Sequence, residues 1–253
     1  MTLDEATQPA PAKPPRDLQS IAPWWHTALL LAQLLFLALI GPSSARLRID
    51  QPHLALYIAS IMSQYLQLSA AVAGVYRRKK FFVDALQSAC STWRREILIG
   101  IALFIATMVM FGIVNGLLRV AGLHTSVDHE IIRSMAPTNA RQLLLWLVVS
   151  VVVGFCEELV FRGYLLRQGV ALMHRMGASR LLAQALSVVL TSVLFGSLHL
   201  YEGLSGAILI GLLGLVYSIV ALSRGNLRAV IVAHVLQDSL AMVFIMLRHS
   251  HHA

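Results

Sequence analysis

Seven apolar segments, each close to the length that crosses a lipid bilayer, constrain the fold of this 253-residue chain. A helix needs about 20 mainly apolar residues to span the hydrocarbon core. Because lipid offers no hydrogen-bond partners to backbone groups, such segments form α-helices. The sequence therefore predicts an all-α fold, namely a polytopic membrane helical bundle with seven or eight transmembrane helices. The predicted spans are 24–40, 54–76, 97–118, 142–161, 181–200, 204–222 and 228–247.

The remaining composition agrees with a membrane protein and divides the chain into four regions. With 13% charged residues and a mean hydropathy of +0.72, the chain is too apolar for an ordinary soluble domain. Residues 1–20 contain four prolines and almost nothing to bury, which predicts a disordered tail. Residues 21–141 are predicted to form N-terminal helices and loops, 142–247 a transmembrane core and 248–253 a short tail.

The first apolar run has a second interpretation, a cleavable signal peptide. Residues 28–40 are apolar and the small residues 41–45 follow them, as in a signal peptide with its cleavage site. The preceding tail carries Asp4, Glu5 and Asp17, which makes it a poor positively charged leader. We therefore favour an uncleaved first helix.

The net charge of +8 follows the loops of a membrane protein. If the N-terminus is cytoplasmic, thirteen of the 20 Lys and Arg residues lie on the inner side and six on the outer side, as the positive-inside rule requires. We predict a multi-pass protein of the cell inner membrane whose partners include membrane lipids. No basic patch interleaved with aromatic residues occurs, so no nucleic-acid partner is expected. Cys90 and Cys156 form no disulfide framework and no CxxC pair.

Two adjacent carboxylates, Glu157 and Glu158, follow the run 143–155, in which Ser150 is the single polar residue. A charged side chain at membrane depth costs at least about 2.5 to 3.5 kcal/mol, so such residues are usually paired and functional. Glu158 and Arg162 are four residues apart and share one helix face, which predicts an ion pair. Glu157 points about 100° away and is available for chemistry.

Two histidines complete a candidate site. His199 ends an apolar span, and His234 shares a helix face with Asp238 in the last span. If a hairpin turns at Gly177, Glu157 lies 20 residues before the turn and His199 lies 22 after it, so both stand at nearly the same height. Carboxylate and imidazole together can perform general acid and base catalysis.

The chain contains three short motifs in the order EExxxR, FxxxH and HxxxN/D. They are formed by Glu157-Glu158 to Arg162, by Phe195 to His199 and by His234 to Asp238. Over residues 140–247 the chain resembles the CAAX protease and bacteriocin-processing family (CPBP, or Abi) of intramembrane endopeptidases, which includes the type II CAAX prenyl endopeptidase. The resemblance implies a hydrolase in which Glu157 and His199 activate water, His234 and Asp238 hold the oxyanion, and Glu158 with Arg162 supports the site.

Asp238 departs from the family pattern, where Asn is common. A side-chain amide can donate to an oxyanion and an ionised carboxylate cannot. Asp238 is therefore either protonated or serves to orient His234.

Several alternatives remain open at the level of sequence. Glu157, His199 and His234 could ligate a catalytic zinc ion, but the chain lacks HExxH, so we favour metal-independent chemistry without a cofactor. The substrate would be a membrane-anchored or hydrophobic peptide, because a site at membrane depth meets such chains laterally. A non-catalytic immunity or scaffold protein and a proton-coupled transporter are the rival functions. The sequence contains no internal repeat, which argues against a transporter built from inverted repeats. It specifies no oligomeric state.

Overall fold

The computed structural model describes residues 18–46, 51–76, 91–122, 132 and 134–250, and these residues form helices joined by short turns. Seven helical segments in this part of the chain are long and apolar enough to cross a membrane, which confirms the prediction of an all-α multi-pass membrane protein. The helices are α1 (Trp24–Arg46), α2 (His53–Gly74), α3 (Trp93–Val120), α4 (Ala140–Glu158), α5 (Leu166–Arg175), α6 (Arg180–Ser197), α7 (Gly203–Arg224) and α8 (Arg228–Ser250).

The fourth span differs most from its predicted limits of 142–161. The π-helical segment Leu159–Leu165 joins α4 to α5, so that one continuous helical path runs through Ala140–Arg175. The amphipathic residues of α5 are too polar to be recognised as a membrane span. They are nevertheless helical, and Leu166, Gln168, Val170 and Ala171 are buried against neighbouring elements.

A helical hairpin connects this long path to α6, at the turn predicted from the sequence. Gly177 has φ +95°, a backbone conformation that side chains rarely adopt, and it reverses the chain direction between α5 and α6. Ser179 caps α6 by accepting a hydrogen bond from the backbone N–H of Leu182. The hairpin brings Glu157 and His199 toward the same level of the molecule, as their equal spacing from the turn suggests.

The π-helical segment lies at the centre of the bundle, and all seven of its residues are buried. Phe161 and Tyr164 pack in one apolar cluster with residues of α1, α2 and α6, while Leu159 packs in a second cluster with α3, α7 and α8. π-Helical turns are rare and occur frequently at functional sites. In this protein the turn begins directly after Glu158.

The first helix is part of this core. Leu30 and Leu34 are buried beside the π-helical segment. The Thr27 hydroxyl lies 3.0 Å from the Tyr164 hydroxyl and accepts a hydrogen bond of 2.8 Å from the Gln168 amide. The small residues 41–45, which the signal-peptide interpretation treated as a cleavage site, are helical within α1.

Close packing of α6 against α7 depends on glycine. A Cβ atom at Gly196 would lie 2.5 Å from the carbonyl oxygen of Ala207 and 3.0 Å from Cα of Gly211. Real Cβ atoms are essentially never so close to another atom. The two backbones therefore touch at a point that only glycine allows, next to the end of α6 where His199 follows.

Some predictions concern residues outside the described ranges. These include most of the predicted tail 1–20, Cys90, and the end of the C-terminal tail. Cys156 is described and is buried as a free thiol. The inner-membrane location, the cytoplasmic N-terminus and the division into four regions stay predictions.

Candidate active site

A cavity of about 570 Å³ contains every predicted catalytic residue in its wall. Glu157, His199, His234 and Asp238 all line it. Much of the remaining wall is apolar, and α2, α4 and α8 contribute Leu56, Trp146, Val149, Val153, Met242 and Ile245 to it. Polar catalytic groups in an apolar concave site are typical of small-ligand and enzyme sites.

Glu158 is the central hydrogen-bond acceptor beside this cavity. It is fully buried, and its Oε1 accepts from Nη1 of Arg162 at 2.8 Å and from Nδ1 of His234 at 2.8 Å. The structure therefore shows the pairing with Arg162 that the spacing of four residues predicts. The bond to His234 joins α4 to α8, and no spacing within one helix could have indicated it.

The guanidinium of Arg162 is held in an aromatic enclosure. Its carbon atom lies 4.4 Å from the ring centre of Phe195 and 5.7 Å from that of Tyr217. A Cβ at Gly214 would lie 3.3 Å from Nη2, so glycine leaves the room that the guanidinium occupies. Cation–π contacts gain strength when the cation is desolvated, as Arg162 is. Arg162 thus fixes Glu158, and Glu158 in turn fixes His234.

Glu157 faces a different set of neighbours. Its Oε1 accepts a hydrogen bond of 2.6 Å from Nε2 of Gln64 on α2, and its Oε2 lies 3.8 Å from Nε2 of His234. Glu157 is 8% exposed, and Oε2 has no hydrogen-bond partner among the described residues. Oε2 of Glu158 has no partner among these residues either, but Glu158 does not line the cavity. A buried carboxylate in a membrane helix that does line a cavity is a candidate for a functional role.

The orientation of His234 follows from its hydrogen bond to Glu158. An ionised carboxylate only accepts, so Nδ1 carries the proton that Glu158 binds. Nε2 is then directed at the space between Glu157 and Asp238, with Oδ2 of Asp238 3.7 Å away. His234 therefore presents one nitrogen to the structural pair and the other to the cavity.

His199 follows the end of α6 and is partly exposed to the cavity. Its Nδ1 lies 3.0 Å from the carbonyl oxygen of Phe195, which can only accept, so Nδ1 donates. In the neutral ring Nε2 is then an acceptor. The ring packs against Phe195 and Tyr201, with centroid separations of 5.1 and 5.7 Å.

Sequence reasoning missed further polar residues of the cavity wall, among them Gln64, Tyr201, Glu202 and Gln237. A signal for Gln64 was present. Ser60, Ser63, Gln64 and Gln67 recur at helical spacing in an otherwise apolar span, and all four line the cavity. Gln237 adjoins Asp238, while Tyr201 and Glu202 follow His199 in a short 3₁₀ turn.

The three predicted zinc ligands, Glu157, His199 and His234, all line the cavity. In the part of the chain that the structure describes, no three His, Cys, Asp or Glu side chains are placed to hold one metal ion. Of the three predicted ligands, His234 uses Nδ1 for Glu158 and His199 uses Nδ1 for a backbone carbonyl, which leaves Nε2 of each ring. The absence of a cofactor stays a prediction.

Residues 139–240 match the family model described as type II CAAX prenyl endopeptidase Rce1-like. Over these residues, which make up less than half of the chain, the protein is similar to the Rce1-like family. The match includes all three motifs and every predicted site residue, and it confirms the resemblance drawn from them. This similarity supports a CAAX-type protease, a hydrolase. No curated protein and no solved structure matches the chain.

Proposed function

We propose that this protein is an intramembrane endopeptidase that hydrolyses a peptide bond in a membrane-anchored or hydrophobic protein substrate, with water activated by Glu157 and His199. The observation that carries the proposal is the environment of Glu157. Its carboxylate is buried, lines the cavity and takes no part in the neighbouring pair of Glu158 with Arg162. Ionisable side chains within membrane-spanning segments that line a cavity are candidates for function.

The proposed reaction uses the carboxylate first as a base. Glu157, assisted by Nε2 of His199, takes a proton from water while the water oxygen attacks the scissile carbonyl carbon. The carbonyl oxygen becomes an oxyanion, and the protonated form of His234 donates Nε2–H to it. The C–N bond then breaks as Glu157 gives the proton it took from water to the leaving nitrogen. The products are a carboxylate and an amine.

The spacing of the polar groups supports a water-mediated reaction. Nε2 of His234 lies 3.8 Å from Glu157 and 3.7 Å from Asp238. Both distances are too long for a direct hydrogen bond and suit groups that share a water molecule. We assign Asp238 to the orientation of His234, because its carboxylate lies beside the ring nitrogen that would face the oxyanion. No metal or other cofactor is part of the proposal.

The apolar wall of the cavity supports a hydrophobic substrate. Side chains such as Trp146, Val149 and Met242 can bind an apolar chain, while the hydrolytic groups lie deeper beside Glu157. The description of the family names CAAX prenyl substrates, so a peptide with an isoprenylated C-terminal cysteine is one candidate within this class.

The proposal is tested by mapping protein cleavage in membranes of cells that carry either the native protein or Glu157→Gln. We expect a set of new protein termini that disappears in the variant, since losing a general base lowers rates by about 10²- to 10⁴-fold. The two purified proteins should have similar melting temperatures, because glutamine has the same shape as glutamate and still accepts a hydrogen bond. A scaffold or immunity role predicts full function in Glu157→Gln, and that result would refute the protease.

A further inference from the structure

Gln64 makes the one hydrogen bond that the structure shows to the carboxylate of Glu157. Its Nε2 donates to Oε1 at 2.6 Å, and the side chain is 8% exposed. Gln64 lies on α2, outside the residues 139–240 that match the family. The N-terminal half of the chain thus contributes a contact to the candidate catalytic carboxylate.

The chemistry of the two groups fixes the direction of this contact. A carboxylate can only accept, so the amide nitrogen must face Glu157 and the amide oxygen must face away. With Oε1 of Glu157 occupied by Gln64, Oε2 is the oxygen that lies beside Nε2 of His234. The last side-chain torsion of glutamate has a broad energy minimum, so the carboxylate plane needs such a partner to keep one orientation.

A neighbouring glutamine shows that burial alone does not create this contact. Gln67 lies on the same helix, is 7% exposed and also lines the cavity. Its amide donates to the Ser63 hydroxyl of its own helix, at 3.3 Å. Gln64 and Gln67 are alike in residue type, helix and burial, and they differ in whether they reach Glu157.

We infer that Gln64 is a positioning residue, which holds Oε1 of Glu157 so that Oε2 is directed toward His234 and the reacting water. This inference rests on the proposed function. Oriented groups of this kind act on the catalytic step, because a small misplacement of a reacting group slows the reaction even when substrate binding is unchanged. The expected signature is a fall in kcat with little change in KM.

The test uses the full-length protein in proteoliposomes and a peptide that spans a bond mapped as dependent on Glu157. Gln64→Met keeps the length and volume of the side chain and removes the amide. We expect its kcat to fall about 10- to 100-fold while KM stays within about twofold. The matched control Gln67→Met should keep the native kcat, and both variants should unfold at similar temperatures.

A second variant covers the case in which Gln64→Met fails to fold. Gln64→Asn keeps the amide but is shorter by one methylene, so it cannot reach Glu157 and should also lose kcat. Native kcat in a folded Gln64→Met or Gln64→Asn protein would overturn the inference. Equal losses in Gln64→Met and Gln67→Met, accompanied by equal drops in melting temperature, would show a structural role and overturn it as well.

The outcomes also separate this inference from the proposed function. If no cleavage product depends on Glu157, the protease proposal fails and the positioning role fails with it. If Glu157→Gln is inactive while Gln64→Met has native kcat, the protease stands and only the positioning role is wrong.

Discussion

At the scale of residues, the two adjacent glutamates have separate environments. Oε1 of Glu158 accepts from both Arg162 and His234, which forms a buried unit that links α4 to α8. Oε1 of Glu157 accepts from Gln64, and Glu157 lines the cavity, which Glu158 does not. Adjacent positions on a helix point about 100° apart, and this rotation is what allows one carboxylate to support the fold while the other faces the cavity.

The buried pair should be essential for folding. Arg162→Met removes the guanidinium and leaves Glu158 charged in an apolar interior, which we expect to cost about 3 to 5 kcal/mol. The double variant Glu158→Gln with Arg162→Met should recover part of this loss, because no uncompensated charge remains. Thermal unfolding in detergent measures the loss in the single variant and the recovery in the double variant. A single variant as stable as the native protein would show that Arg162 does not balance the charge of Glu158.

Asp238 allows a test of its departure from the family pattern. Asp238→Asn keeps the shape and adds a donor that can serve the oxyanion, so we expect activity equal to or above native. Asp238→Ala removes the group beside Nε2 of His234 and should lower kcat about tenfold. Peptide hydrolysis in proteoliposomes compares the two. An inactive Asp238→Asn would mean that the negative charge itself is required.

At the scale of elements, the site depends on two local departures from ordinary helix packing. The π-helical segment Leu159–Leu165 places Arg162 among the rings of Phe195 and Tyr217. The glycine contact between α6 and α7 lets the end of α6 approach closely. Because His199 comes three residues after Gly196, the position of this catalytic candidate is tied to that contact.

The glycine contact gives a prediction with a matched control. Gly196→Ala places a methyl group 2.5 Å from the Ala207 carbonyl oxygen, so α6 must move away from α7. We expect a loss of about 1 to 3 kcal/mol in stability and at least a tenfold loss of activity as His199 shifts. Gly112→Ala on α3 meets open space, with nothing within 4 Å, and should leave both unchanged. Matching behaviour of the two variants would contradict the close contact.

At the scale of the whole molecule, the candidate catalytic residue Glu157 lies deep within the bundle. Glu157 is 17 residues after Ala140 on the longest helical path, which places it about 26 Å from that end. The cavity extends from Glu157 toward the side where α1 ends and α2 begins, because Ser44 and Leu56 line it. We therefore expect the proposed substrate to enter from that half of the bundle.

The order of the spans predicts which residues share a membrane face. The hairpin turn at Met176 and the exposed Ser223 near the end of α7 should lie on one side, and Thr138 before α4 on the other. After replacement of both native cysteines, single cysteines at these positions report their side through a membrane-impermeant maleimide. We expect Met176→Cys and Ser223→Cys to label from the cytoplasm and Thr138→Cys from outside. Labelling of all three from one side would refute the topology.

The sequence by itself determined the seven spans, the Glu158 pair with Arg162 and the order of the three motifs. These features depend on hydropathy and on helical spacing, which are local properties of the chain. Only the tertiary structure decided that Gln64 reaches Glu157, that His234 binds Glu158, and that a π-helical turn follows the glutamates. Lipid-facing and protein-facing side chains are equally apolar, so the sequence of one helix specifies neither its rotation nor the depth at which it meets another.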